Sequence, residues 1–183
     1  MSDINSPSDI IALLQDIELR SQKSVADQSE QDALHGSWTA IDFRIAENHY
    51  LIPLSETREV FPVPKQITPV PKSEPWVFGI ANLRGELLPL FDLKCFLYGQ
   101  ATKVNKRSRI VVINHPDLYS GILIDEVFGL RHFQHDPEKI STSSDSAISP
   151  YIDGTIAQQD THWDVFSINK LTNEQRFLNA AAA

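Results

Sequence analysis

The chain has 183 residues, 42% of them hydrophobic and 22% charged, a composition that suits one sizeable core or two small cooperating ones. A formal charge of −8 is the wrong sign for a nucleic-acid backbone or an anionic membrane as the main partner. There is no leader-like N-terminus, no apolar run of membrane-span length, and a single cysteine, Cys95, so a cytoplasmic protein with neither an internal disulfide nor direct membrane insertion is expected.

The first segment reads as a helix. Ser6 can cap it, Pro7 suits the first helical position and Asp9 favours the positive end of the dipole. Ile10, Leu13, Leu14 and Ile17 then form one apolar stripe, expected to dock on the domain that follows or else to bind something outside it. Ser21 to Leu34 is mostly polar and Gly36 is a plausible stop. The expected division is a helical extension over 1–36, a domain over 37–178 and a tail over 179–183.

From Trp38 the period falls to two. Ile41, Phe43 and Ile45 alternate with Asp42 and Arg44, Glu47-Asn48 makes a turn, and Tyr50 to Leu54 returns as the partner strand. Pro53 implies an edge or a strand end, because proline cannot donate to a ladder. Ser55 to Val60 fits a helical turn or further strand. Pro62, Pro64, Pro69, Pro71 and Pro75 forbid regular helix and leave an extended connector.

Phe78 to Asp92 forms the central hairpin. Two apolar flanks surround the polar turn Asn82-Leu83-Arg84-Gly85, where Gly85 can take the positive φ of a tight hairpin with a bulge. Arg84 is then either an always-charged, five-donor group held out for recognition of an acid or a row of carbonyls, or a solvated turn residue. Asp92 to Tyr98 reads as a brief helix capped by Asp92 and stopped by Gly99, with Cys95 as a small core residue.

Gln100 to Ser108 looks like an exposed loop, and its basic cluster like a solvated connector. Arg109 to Ile113 and Tyr119 to Val127 are strands joined by the turn Asn114 to Asp117, apolar enough for burial on both faces. Phe128-Gly129-Leu130 is expected to turn the chain, Arg131 to Gln134 to pair, and His135 to Ser146 to be a mobile polar loop. Ile148 to Thr155, Trp163 to Ile168 and a last helix from Asn169 to Leu178 complete an all-β domain.

Catalytic and metal-binding patterns are weak. His132 and His135 stand three apart without a second convincing pair, so no metal and no cofactor is expected. Asp125 and Glu126 are adjacent on a strand and point to opposite faces, which disfavours shared acid–base work. No nucleophile elbow, phosphate-cradling loop or dinucleotide fingerprint is present, and the expectation is that the protein is not an enzyme.

Gly79 to Gly85 followed by Pro89 to Leu93, with Tyr50 to Pro53 upstream and Gly121 to Val127 downstream, resembles the signature of the CheW-like domain. The resemblance runs from about Trp38 to Leu171 and weakens after about His132. It implies two small SH3-like five-stranded β-barrels packed together with a hydrophobic groove between them, plus the N-terminal helical extension and a short C-terminal helix. It also implies a scaffold that couples a methyl-accepting chemoreceptor tip to the regulatory domain of a CheA-type histidine kinase. Chain size and extension point to the branch serving type IV pili and twitching motility, where recruitment to membrane receptor arrays would come through partners. Carried over by position, Arg84, Asn82 and Gly85 lie beside the groove, and Glu59 and Val60 form an acidic-then-apolar binding pair. At the preceding family position, usually apolar, this chain has Thr57. The rival expectation is a β-barrel module holding a peptide or small molecule in the groove.

Overall fold

The computed structural model describes residues 38–139, 145–158 and 160–181. The N-terminal stripe and residues 140–144 of the polar loop therefore lie outside the described residues. Ten strands alternate with short helices: β1 Trp38–Ile45, β2 Asn48–Pro53, β3 Thr57–Pro62, β4 Val77–Leu83, β5 Glu86–Asp92, α1 Leu93–Tyr98, β6 Arg109–Ile113, β7 Gly121–Ile124, β8 Glu126–Phe133, β9 Ile152–Gln158, β10 Thr161–Phe166, α2 Ile168–Thr172 and α3 Gln175–Ala181.

They make two five-stranded sheets, in the orders β8-β1-β2-β10-β9 and β3-β6-β7-β5-β4. The two follow one plan. In each, an edge strand leads into an antiparallel pair, then a parallel pair, then a second antiparallel pair. Parallel neighbours need a long crossover, and between β2 and β10 the crossover contains the entire second sheet.

Period-2 alternation sorts the apolar residues into three cores. Ala40, Leu51, Phe133, Ile156 and Val165, drawn from all five strands of the first sheet, meet in one cluster, so that sheet curls into a small barrel. Ala81, Leu88, Ile110 and Leu123, with the half-buried Phe61, do the same in the second. Intervening residues point the other way, and Phe43, Tyr50, Ile52, Val111, Ile122 and Ile124 fuse the two barrels through a shared core. This double burial explains why Arg109 to Ile113 and Gly121 to Ile124 read as nearly continuous apolar runs.

Several expectations hold locally. Asp92 caps α1 by accepting the Cys95 N–H at 3.1 Å, Gly99 ends it at φ 68°, and Cys95 is buried. Leu54–Glu56 is a 3-10 turn and β3 follows directly, so both alternatives for that stretch are realised.

Others need correction. Loop 100–108 is exposed for most of its length, but Thr102 and Ser108 are buried. The Thr102 N–H and hydroxyl donate to the Asp92 carboxylate at 2.7 and 2.8 Å, which ties the loop to the cap of α1. The strand expected over Tyr119 to Val127 breaks at Asp125, whose carboxylate accepts the Ala46 N–H at 2.7 Å. Phe128-Gly129-Leu130 does not turn the chain: β8 runs straight through it. The ladder to β1 shifts there, Asp42 facing Gly129 and Phe43 facing Val127, so Phe128 is an extra residue in a bulge. The last helix is two helices, α2 and α3, which lets Phe177 bury itself against Phe91 and Phe96 of the second barrel.

Candidate functional site

The central hairpin closes with Leu83 opposite Glu86, leaving a two-residue loop, Arg84-Gly85. Both have positive φ, 54° and 93°. This is the handedness of a type I′ turn, whose twist matches the strands, and no bulge is needed at the tip. The Asn82 side-chain oxygen accepts the Gly85 N–H at 2.9 Å and braces the loop. No heavy atom would lie within 4 Å of a Cβ at Gly85, so its glycine serves the backbone angle rather than space.

Arg84 is the costly member. A left-handed conformation disfavours a residue with a Cβ by roughly 1–2 kcal/mol. Its guanidinium reaches across to β3 and donates to the Glu59 carboxylate at 2.7 Å. With side-chain exposures of 75% and 31%, that pair is screened by solvent and contributes little to folding. The strain of the Arg84 backbone is therefore not offset by its exposed ion pair with Glu59.

Beside the pair, Arg58 lies over the Tyr119 ring at 5.3 Å. Burial, reinforced by the hydrogen bond that the Tyr119 hydroxyl donates to Glu86, raises the tyrosine pKa above its ordinary value. The tip, β3 and the end of β7's entry loop thus form one polar surface.

On the other side of Glu59 the surface becomes apolar. The two edge strands β3 and β8 face each other across a shallow groove of about 240 Å³ lined by Ile41, Leu54, Val60, Val127 and Leu130, with Arg58 and Glu59 at its polar wall. Leu130 is 55% exposed and Leu54 is also exposed, so the groove presents apolar surface to solvent. Val60 is half-buried: it packs on the shared core and also lines the groove.

The structure therefore gathers Asn82, Arg84, Gly85, Glu59 and Val60 onto one continuous surface. The groove residues Leu54, Val127 and Leu130 escape sequence reasoning. Leu130 in particular cannot be assigned to a face by alternation, because the bulge at Phe128 changes the parity of the strand just before it.

Among the described residues, no group of three or more His, Cys, Asp or Glu side chains is placed to hold a metal ion. Three of the described histidines have other partners: His49 contacts Asp42 at 3.2 Å, His132 contacts Thr39 at 3.0 Å, and His115 accepts the Asp117 N–H at 3.2 Å. Glu126 meets Arg44 at 3.2 Å and Arg107 at 3.5 Å, an electrostatic clasp at the start of β8. No helix among the described residues is long and apolar enough to cross a membrane.

Comparison with known proteins agrees with this architecture. The profile of the CheW-like domain matches residues 39–176. Protein PilI of Pseudomonas aeruginosa is 35% identical over 182 residues, covering 99% of each chain. Chemotaxis protein CheW of Helicobacter pylori is 32% identical over 119 residues, 63% of this chain and 72% of that one. Among solved structures, scaffolding protein TtCheW from Thermoanaerobacter tengcongensis superposes with a TM-score of 0.60 at 23% identity, covering 72% of this chain and 84% of its own, a likeness of fold.

Proposed function

The chain belongs to the CheW-like domain family, and on that footing we propose that it is a cytoplasmic scaffold joining a methyl-accepting chemoreceptor to a CheA-type histidine kinase in a type IV pilus chemosensory system. The observation that carries this reading is the Arg84–Glu59 pair, held out on a braced hairpin at the border of an apolar groove. Polar donors next to an exposed apolar cleft make a surface for protein, with an anchor pocket and a charged rim. The similarity to PilI along nearly the whole chain supports the pilus branch.

In this scheme no bond is made or broken. The kinase regulatory domain packs against the face carrying Arg84 and Glu59, and the groove receives the helical tip of the receptor. Holding both partners on one body makes their mutual influence intramolecular, which raises effective concentration without any catalytic step. Signal passes only if the contacts differ between receptor states. At about 240 Å³ and open, the groove is smaller than the roughly 300–1,000 Å³ of pockets that enclose small molecules. A side chain or helix edge suits it better than a metabolite.

The test is Arg84→Glu, which reverses the guanidinium and sets it against Glu59. Binding of the purified kinase regulatory domain, followed by calorimetry, should weaken at least tenfold while the melting temperature stays within a few degrees. Unchanged affinity would remove this surface from the interface.

A further inference from the structure

Leu130 faces the groove only because of the bulge in β8. In an uninterrupted ladder continuing from Val127 opposite Phe43, Phe128 would face Asp42 and Gly129 would face Ile41. Leu130 would then lie opposite Ala40, on the barrel side, and a glycine would take its place against the groove. The observed register puts Gly129 opposite Asp42, Leu130 opposite Ile41 and Arg131 opposite Ala40. Ile41 and Leu130 then form the wall together.

The bulge sits on an edge strand, which pairs only with β1 among the described residues. Phe133, buried in the barrel core, fixes the far end of β8, and the Arg44–Glu126 pair fixes its start. Between those two points the bulge could move along the strand and carry Leu130 with it. Asp42 closes that interval. Its carboxylate is only 1% exposed, yet it accepts the Arg131 Nε–H at 2.6 Å through one oxygen and contacts His49 Nδ1 at 3.2 Å through the other. Arg131 is held further by the Trp163 ring at 4.9 Å, and His49 stacks on the extra residue Phe128 at 4.4 Å between centroids. A buried carboxylate satisfied from two neighbouring strands is strongly position-dependent, since removing either partner leaves one of its oxygens desolvated without that contact.

We infer that Asp42, through Arg131 and His49, is the positioning residue of the groove: it locks the bulge of β8 so that Leu130 stays in the wall. This rests on the groove being a partner-binding surface, and the experiment separates the two ideas. Asp42→Asn and the milder Arg131→Gln are compared with Leu130→Glu in the full-length protein. Hydrogen exchange is read for the amides of residues 127–131. Affinities are measured for a purified cytoplasmic fragment of a methyl-accepting receptor from the same cell and for the kinase regulatory domain.

The lock predicts at least tenfold faster exchange in β8 for both Asp42→Asn and Arg131→Gln. It also predicts at least fivefold weaker receptor binding, with kinase-domain binding unchanged. If β8 exchange is unaltered in both variants, the positioning role is wrong, whatever the receptor does. Equal loss of both partners, with faster exchange throughout the barrel, would mark general destabilisation and overturn it as well. If neither the wild type nor Leu130→Glu binds the receptor fragment while β8 exchange still rises, the lock stands and the partner assignment falls.

Discussion

Arg84→Asn separates the two roles that an arginine at a turn tip can have. The substitution keeps a residue that tolerates φ near +54°, so much of the roughly 1–2 kcal/mol strain of the left-handed conformation is relieved. It removes the Glu59 ion pair, which at 75% exposure of the arginine side chain is worth less than about 1 kcal/mol. The two effects have opposite sign and similar size. Net stability should change by no more than about 1 kcal/mol in either direction, a shift of about 2–4 °C in melting temperature for a chain of this length. Arg84→Val makes the opposite comparison: a β-branched side chain at positive φ adds strain while losing the same ion pair, and should destabilise by about 1–3 kcal/mol. Urea unfolding followed by tryptophan fluorescence measures both, and titration with the kinase regulatory domain measures affinity. Binding should fall in both variants regardless of stability. A loss of more than about 2 kcal/mol in Arg84→Asn would show that the arginine is structural and that the strain reasoning fails. Full binding by Arg84→Asn would show that the guanidinium is not a contact.

Phe177→Ala should destabilise the domain by about 3–5 kcal/mol in urea unfolding, because a fully buried ring that packs on Phe91 and Phe96 leaves a cavity that a short helix cannot collapse. Glu56 gives a pH dependence. Burial raises its carboxyl pKa above the ordinary 4.5 despite hydrogen bonds from the Ile168 and Asn169 N–H groups, so the folded state holds that proton more tightly than the unfolded chain. Its contribution to stability is therefore fully present below the unfolded pKa and is lost as pH rises through the folded value. Unfolding free energies of wild type minus Glu56→Gln, measured from pH 4 upward, should fall across that window and then level off; a difference that rises with pH would contradict the assignment.

Local chemistry settles much of this protein from sequence alone. A 3-10 turn, a capped α1 with its αL glycine, and the Arg84-Gly85 loop all follow from residues within a few positions of each other, since caps and turns are satisfied by near neighbours. The doubly apolar runs of β6 and β7 were legible as buried strands for the same reason: each residue's burial shows in its own polarity. The motif around Gly79 to Gly85 likewise marks the family through neighbouring residues alone.

Tertiary structure decided what depends on partners far away in the chain. The sequence carries no sign that β2, followed in the chain by seven other strands, pairs in parallel with β10, because parallel pairing has no local turn to announce it. It does not show that loop 100–108 is pinned to Asp92, or that Glu59 and Arg84, 25 residues apart, share one hydrogen bond. The groove is the clearest case. A single extra residue in β8 reverses which side chains face it, and only the strand alongside, with Asp42 at the shift, determines where that residue falls.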